Sequence, residues 1–220
     1  MGLMEGYGEY TCCTGDVYKG QFVNGKKHGK GKMFYRDGAS FEGQWRGDVR
    51  QAGAGALAWP NGDTYIGLFN RGGLYHGEGI LTRVEGDRYE GAFEEGAKEG
   101  TGTMDYATGD HYEGSWKKNV KCGQGTYSFA DGNKYVGMWL NDRMEGEGEY
   151  CFSSGDFYRG EFLMDRPHGR GEATYVSNAS TFKGDFRDGL PCGRGTMTYE
   201  DGTQWEGTWK DGKREEGGMI

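Results

Sequence analysis

Proline is almost absent, at 3 residues in 220, which excludes a collagen-like chain despite abundant glycine. Long apolar runs are missing as well. No stretch approaches the ~20 apolar residues of a membrane-spanning helix, and Met1-Gly2-Leu3-Met4-Glu5-Gly6 lacks a hydrophobic signal region. Gly2 is no myristoylation signal, because position 6 holds Gly6 where Ser or Thr is needed. Positive charge is in short supply: 26 Lys and Arg against 34 Asp and Glu leave a net −8. Nucleic acid is therefore excluded as a partner, since it requires a basic surface, and general attraction to anionic membranes is weakened. Five cysteines form an odd set without framework spacing, which implies reduced thiols and a cytoplasmic setting. Asn178-Ala179-Ser180 reads as an accidental sequon in that setting. Catalytic signatures are also lacking: there is no Gly-x-Ser-x-Gly elbow, no His-Glu-x-x-His and no P-loop. The Gly-x-Gly pairs have no third glycine at Rossmann spacing, and strand-like residues follow them. A non-catalytic protein is expected.

Glycine and aromatics supply what the chain has instead. Glycine accounts for 45 of 220 residues, about three times the usual share. Aromatics make up 15%, too many and too regularly placed for a disordered chain. The hydrophobic fraction is only 34%, thin for a deep core, so a structure one layer deep is expected. An aromatic-x-Gly-x-aromatic unit occurs nine times, from Tyr18-Lys-Gly20-Gln-Phe22 and Phe41-Glu-Gly43-Gln-Trp45 to Phe182-Lys-Gly184-Asp-Phe186 and Trp205-Glu-Gly207-Thr-Trp209. The starts are 23, 24, 24, 23, 23, 23, 24 and 23 residues apart. Self-similarity at a fixed period is the mark of a repeat architecture.

Each unit has a second half, a Gly-x-Gly pair such as Gly29/Gly31 or Gly146/Gly148, then a turn glycine as in Asp37-Gly38 or Asp131-Gly132. Period two puts both rings and the intervening glycine on one face of a strand, and the Gly-x-Gly segment reads as its hairpin partner. Asp-Gly and Asn-Gly supply the positive φ of a reversal, and Asn178 is expected to take that role in its own unit. The strand glycines leave room for rings to lie over bare backbone. The fold class is thus all-β: an elongated, single-layer antiparallel sheet of tandem hairpins. Eighteen strands ~4.8 Å apart would extend over ~85 Å.

The succession Tyr-x-Gly-x-Trp/Phe, His-Gly-x-Gly, Asp-Gly resembles the MORN repeat (membrane occupation and recognition nexus). His28-Gly29-Lys-Gly31 and Asp131-Gly132-Asn-Lys-Tyr135-Val-Gly137-Met-Trp139 carry the likeness. The resemblance implies a twisted, grooved ribbon and a scaffold for protein–protein interaction, most like the free-standing cytoskeletal scaffolds of apicomplexans and kinetoplastids. It also implies a cytoskeleton- or membrane-associated location. One departure is that the His before Gly-x-Gly is kept only as His28, His76 and His168. The reading divides the chain into 1–17, the second half of a truncated repeat; 18–204, eight full repeats; and 205–220, a terminal half-repeat and tail. Opening in mid-repeat, the chain is expected to be cut from a longer array.

Four sets of residues are candidate sites. Trp205 and Trp209 open a unit whose second strand is not expected before Ile220. With Phe182 and Phe186 they are the expected interface of a homodimer paired through its last repeats; the alternative is that 210–214 folds back over the rings. Tyr112, Trp116, Tyr135, Trp139, Tyr158 and Phe162 are the expected wall of a groove for a peptide or cytoskeletal partner, with Trp116 and Trp139 exposed in it. Lys26, Lys27, Lys30 and Lys32 form the candidate patch for a phosphoinositide membrane, the competing reading. Abundant carboxylates such as Glu94-Glu95 read as solvated. Cys192 and His168 fall in adjacent units about 10 Å apart. Zinc ligands must lie within ~2.3 Å of the metal, so these two are expected to share an ion only across a dimer contact. No other cofactor is expected.

Overall fold

Two rings flanking a glycine at alternate positions must share one side of a strand. The computed structural model of the chain, which describes residues 2–220, folds every copy in that way. Two compact units make up the chain, Met1–Ala107 with Lys117–Asn119, and Thr108–Trp116 with Val120–Ile220. The first carries β1 (Gly6–Thr11), β2 (Val17–Val23), β3 (Lys26–Phe34), β4 (Ser40–Arg46), β5 (Val49–Arg50), β6 (Gly53–Ala58), β7 (Thr64–Phe69), β8 (Tyr75–Thr82), β9 (Arg88–Glu94) and β10 (Ala97–Asp105). The second carries β11 (His111–Lys117), β12 (Val120–Ser128), β13 (Lys134–Leu140), β14 (Arg143–Cys151), β15 (Phe157–Leu163), β16 (Arg166–Tyr175), β17 (Ser180–Arg187), β18 (Leu190–Thr198), β19 (Gln204–Lys210) and β20 (Lys213–Met219).

Glycine sets the register. In the first unit Gly8 faces Gly20, which faces Gly31, which faces Gly43; further on Gly55, Gly67, Gly79, Gly91 and Gly102 face one another in turn. In the second unit the succession runs Gly125, Gly137, Gly148, Gly160, Gly171, Gly184, Gly195, Gly207, Gly217. The result is a lane of bare backbone, and the first ring of each repeat lies on it. A Cβ added to Gly31 would sit 2.1 Å from the Tyr18 hydroxyl oxygen, and one on Gly125 2.4 Å from that of Tyr112. Any side chain there would displace the ring.

The hydroxyl explains why tyrosine recurs at that position. It reaches past the glycine and donates to a carbonyl three residues on: Tyr65 to Leu68 at 2.9 Å, Tyr135 to Met138 at 2.9 Å, Tyr158 to Glu161 at 2.9 Å. Rings then interlock edge to face along each unit. Tyr135 meets Trp139 at 5.3 Å and Phe162 at 4.9 Å, Tyr158 meets Phe162 at 5.1 Å and Phe186 at 4.9 Å. Each such pair adds ~0.5–1.5 kcal/mol beyond area burial. This zigzag is the core.

The two glycines of the Gly-x-Gly pair have different tasks. The second lies in the lane, whereas the first, such as Gly146 with φ 71°, occupies a bulge where the β13–β14 register shifts. Most reversals within repeats take two residues at positive φ, as at Asn141 (50°) and Asp142 (67°), the geometry that matches strand twist; between β7 and β8 residues 70–74 make a longer loop with Gly73 at positive φ.

Two expectations are corrected. Asn178 lies in a short 3-10 turn, Val176–Asn178, and the left-handed residue is Ala179, with φ 47°. Asn178 instead accepts a hydrogen bond from the Ser180 hydroxyl, which is buried. The last repeat does acquire its second strand: β20 pairs with β19, with Trp209 opposite Arg214 and Gly207 opposite Gly217. A single lane glycine is enough to seat the ring, so the missing Gly-x-Gly pair does not prevent the strand.

Candidate functional site

Every first-strand ring is buried, from Tyr18 (1% exposed) to Trp209 (6%). The face they line is therefore finished by the residues set over them. Opposite the second ring of eight of the nine repeats, the register places Lys27 (on Phe22), Arg50 (on Trp45), Tyr75 (on Phe69), Lys98 (on Phe93), Met144 (on Trp139), Pro167 (on Phe162), Pro191 (on Phe186) and Arg214 (on Trp209). The cations lie against rings: Lys27 Nζ is 5.2 Å from Trp45, Arg50 4.2 Å from Phe41, Lys98 5.3 Å from Tyr89 and Lys121 4.7 Å from Trp139. Burial pushes the Lys121 ammonium below its ordinary pKa, nearby Asp142 opposing. Of residues 210–214, Arg214 lies over Trp205 at 5.0 Å and Trp209 at 5.7 Å, and it does so from within β20.

A second row of partly exposed rings borders this face. In the second unit Tyr127, Phe129, Tyr150 and Phe152 form a continuous strip with centroids 4.5, 5.8 and 4.6 Å apart; Phe152 is 43% exposed. Tyr127 donates to Asp110, 3.0 Å away. In the first unit Trp59 and Tyr75 meet at 6.1 Å, and Tyr75 stacks on Tyr65 at 3.8 Å.

The opposite face is mainly one of charged cross-strand pairs, Lys19–Glu9 at 3.0 Å, Lys30–Glu42 at 3.4 Å and Arg88–Asp105 at 3.9 Å. Exposed Ile66, Val136 and Met138 interrupt it.

Carboxylates missed as structural elements tie neighbouring repeats. Asp16, Asp63, Asp87, Asp110 and Asp156 follow a turn glycine. Each accepts a backbone N–H from the next turn, those of Arg36, Val84, Ala107, Ala130 and Val176. Asn133 does the same for Ser153. The Gly-Asp/Asn dipeptide at constant phase was the available signal.

The expected sites are placed differently. Tyr112, Trp116, Tyr135, Trp139, Tyr158 and Phe162 are all at most 5% exposed; Trp116 and Trp139 are not exposed, because the rings are spent covering the glycine lane. Phe182, Phe186, Trp205 and Trp209 are at most 9% exposed, covered by β18 and β20 of the same chain. Lys26, Lys27, Lys30 and Lys32 do not make one patch. Lys27 lies on the aromatic face, Lys26 begins β3 at the turn, and Lys30 and Lys32 both reach Glu42 on the opposite face. His168 and Cys192 line one cleft of about 430 Å³ with Asp185 and Asp211, within a single chain. Among the described residues no three His, Cys, Asp or Glu gather in a metal-holding group, and burial raises the Cys192 thiol pKa.

Comparison with known proteins bears on this geometry. A family model described as "MORN repeat" matches residues 1–17, 18–40, 41–64, 65–88, 89–111, 112–134, 135–157, 158–180, 182–204 and 205–215. Similar solved structures include the SAS-4 (dCPAP) TCP domain of Drosophila melanogaster in complex with a proline-rich motif of Ana2 (dSTIL). It is 14% identical over 82% of this chain and 90% of that one, with a TM-score of 0.45. The wild-type TCP10 domain of Danio rerio CPAP is 12% identical over 96% of this chain and 98% of that one, with a TM-score of 0.49. A streptogramin B lyase is 10% identical over 96% and 85%, with a TM-score of 0.19.

Proposed function

The chain belongs to the MORN-repeat family, and from that premise we propose that it is a non-catalytic scaffold that holds a segment of a partner protein along its aromatic face. The observation that carries this reading is the division of labour between the two ring rows. First-strand rings are consumed in the core, while Tyr127, Phe129, Tyr150 and Phe152 form a strip of rings beside it that stays partly exposed. Extended aromatic surfaces on repeat arrays suit elongated peptides. A cytoskeletal partner is the setting implied by family resemblance. The test is selection of peptides from a display library on the intact chain. Peptides so obtained should be lost on Phe129→Ser with Phe152→Ser and kept on Val136→Ser with Met138→Ser. Retention on the first pair and loss on the second would move the binding surface to the other face and sink the proposal.

Self-association through the C-terminal repeats is a second reading, favoured by β20, which among the described residues pairs with β19 on one side and exposes its side chains. Its free edge offers backbone groups to another copy, whereas Lys213, Arg214, Glu215 and Glu216 discourage indiscriminate pairing. Light scattering decides between dimer and monomer.

A further inference from the structure

We propose, building on the scaffold reading above, that the aromatic face of the first unit receives an extended acidic segment of a partner protein, with one carboxylate set against each cation of the capping row. Lys27 and Arg50 occupy equivalent positions in successive repeats, each opposite the second ring of its hairpin. Lys98 holds that position two repeats later. All three cations lie over aromatic rings, at 5.2, 4.2 and 5.3 Å, where water is partly displaced and an incoming carboxylate is attracted more strongly than in bulk solvent. Three carboxylates near Lys27 and Arg50 are engaged in the turns. Asp48 accepts the Lys27 backbone N–H, Asp16 accepts that of Arg36, and Asp63 is closed by Val84 and the Arg83 guanidinium. The same row in the second unit has Lys121 and Arg214 at its two ends, with Met144, Pro167 and Pro191 between them, so cations in successive repeats belong to the first unit.

Spacing restricts the conformation of the occupant. Successive cations are two strands apart, about 9.6 Å. Three residues of polyproline II advance about 9.3 Å and complete one turn, which returns every third side chain to the same side. A β-strand would alternate sides and present only half of its acids. Tyr75, stacked on Tyr65, fills the row position between Arg50 and Lys98, and the residue that meets it is apolar.

The experiment measures binding of synthetic peptides of repeated Glu-Pro-Pro, Gln-Pro-Pro and Lys-Pro-Pro triplets to the full chain, with phosphatidylserine vesicles as competitor. The Glu peptide should bind, the Lys peptide should not, and added salt should weaken binding at least about tenfold. Lys27→Gln with Arg50→Gln should lose a similar factor, while Lys30→Gln with Lys32→Gln should change nothing. The salt response of the intact chain does not depend on how well the variants fold. Equal binding of the Gln peptide overturns the acid preference and leaves the scaffold reading standing. Binding of vesicles without the Glu peptide makes the row a lipid surface and overturns the inference. Failure of every peptide here overturns it too; only a display selection without face-dependent peptides would take the scaffold reading with it.

Discussion

At the scale of single residues, the lane makes glycine a packing element. Gly148 would place a Cβ 2.5 Å from the Tyr135 ring, whereas one on Gly218 meets nothing within 4 Å. Gly148→Ala should therefore cost at least ~2 kcal/mol by urea denaturation, the penalty of forcing a core ring aside, and Gly218→Ala should be near neutral. The tyrosines give a second signature. Burial pushes Tyr65 and Tyr75 up to about 12 and raises Tyr89, Tyr135 and Tyr158 as well. Folding favours their protonated form, so this stability is whole below pH ~10, the unfolded value, and is lost as pH rises through the folded values. The share of phenolate absorbance owed to these five rings should therefore appear together with loss of strand circular dichroism above pH ~10; their ionisation well before unfolding would contradict their burial. Rings and glycines were legible in the sequence because strand periodicity exposes them directly. The capping cations were not, because Lys27 and Lys121 precede the Gly-x-Gly pair in what read as loop. The reversal takes only two residues, and some of its positive-φ positions are Lys118 or Met164, types that give no turn signal.

At the scale of elements, the strands are stitched through their turns. Asp16, Asp63 and Asp110 are held below the usual carboxylate range, first by the backbone N–H groups of Arg36, Val84 and Ala130. A carboxylate depressed in the folded state stabilises it above the unfolded value of about 4 and loses that contribution as pH falls through the folded value. Asp110→Ala should lower the melting temperature at neutral pH and flatten its fall in acid. Asp110→Asn should retain more stability, as Asn133 occupies the equivalent place in the next turn and bonds to Ser153 at 2.8 Å. An unchanged melting curve for Asp110→Ala would remove the stitch from the account. The hairpin boundaries were readable from the repeat, but these ties were not. They join residues about 20 apart that come together only once register is fixed, and isolated acids on loops default to a solvated role. The closing strand β20 was hidden for a related reason: Lys213–Met219 has one lane glycine and four charged residues, and pairing with β19 overrides its weak strand propensity.

At the scale of the whole molecule, a repeat that spends its best rings on internal packing must recognise partners with what lies over them. The groove wall was therefore placed one layer too deep in the sequence reading: the regularity that made Trp116 and Trp139 conspicuous is that of the core. The residues set over the core vary from repeat to repeat, from half-buried Lys27 and Arg50 to half-buried Pro167 and buried Pro191, and variation among repeats is where specificity can reside. For self-association, light scattering of the full chain against one ending at Tyr199 should show a dimer reduced to a monomer; the same mass per particle state in both would remove the C-terminal edge as its cause. The most direct test of the central claim is hydroxyl-radical footprinting of the chain with and without a display-selected peptide. Phe129, Tyr150 and Phe152 should become protected while Val136 and Met138 continue to react. Protection of Val136 and Met138 with Phe129 and Phe152 still reactive would contradict the account, because the partner would then sit on the face opposite the aromatic one.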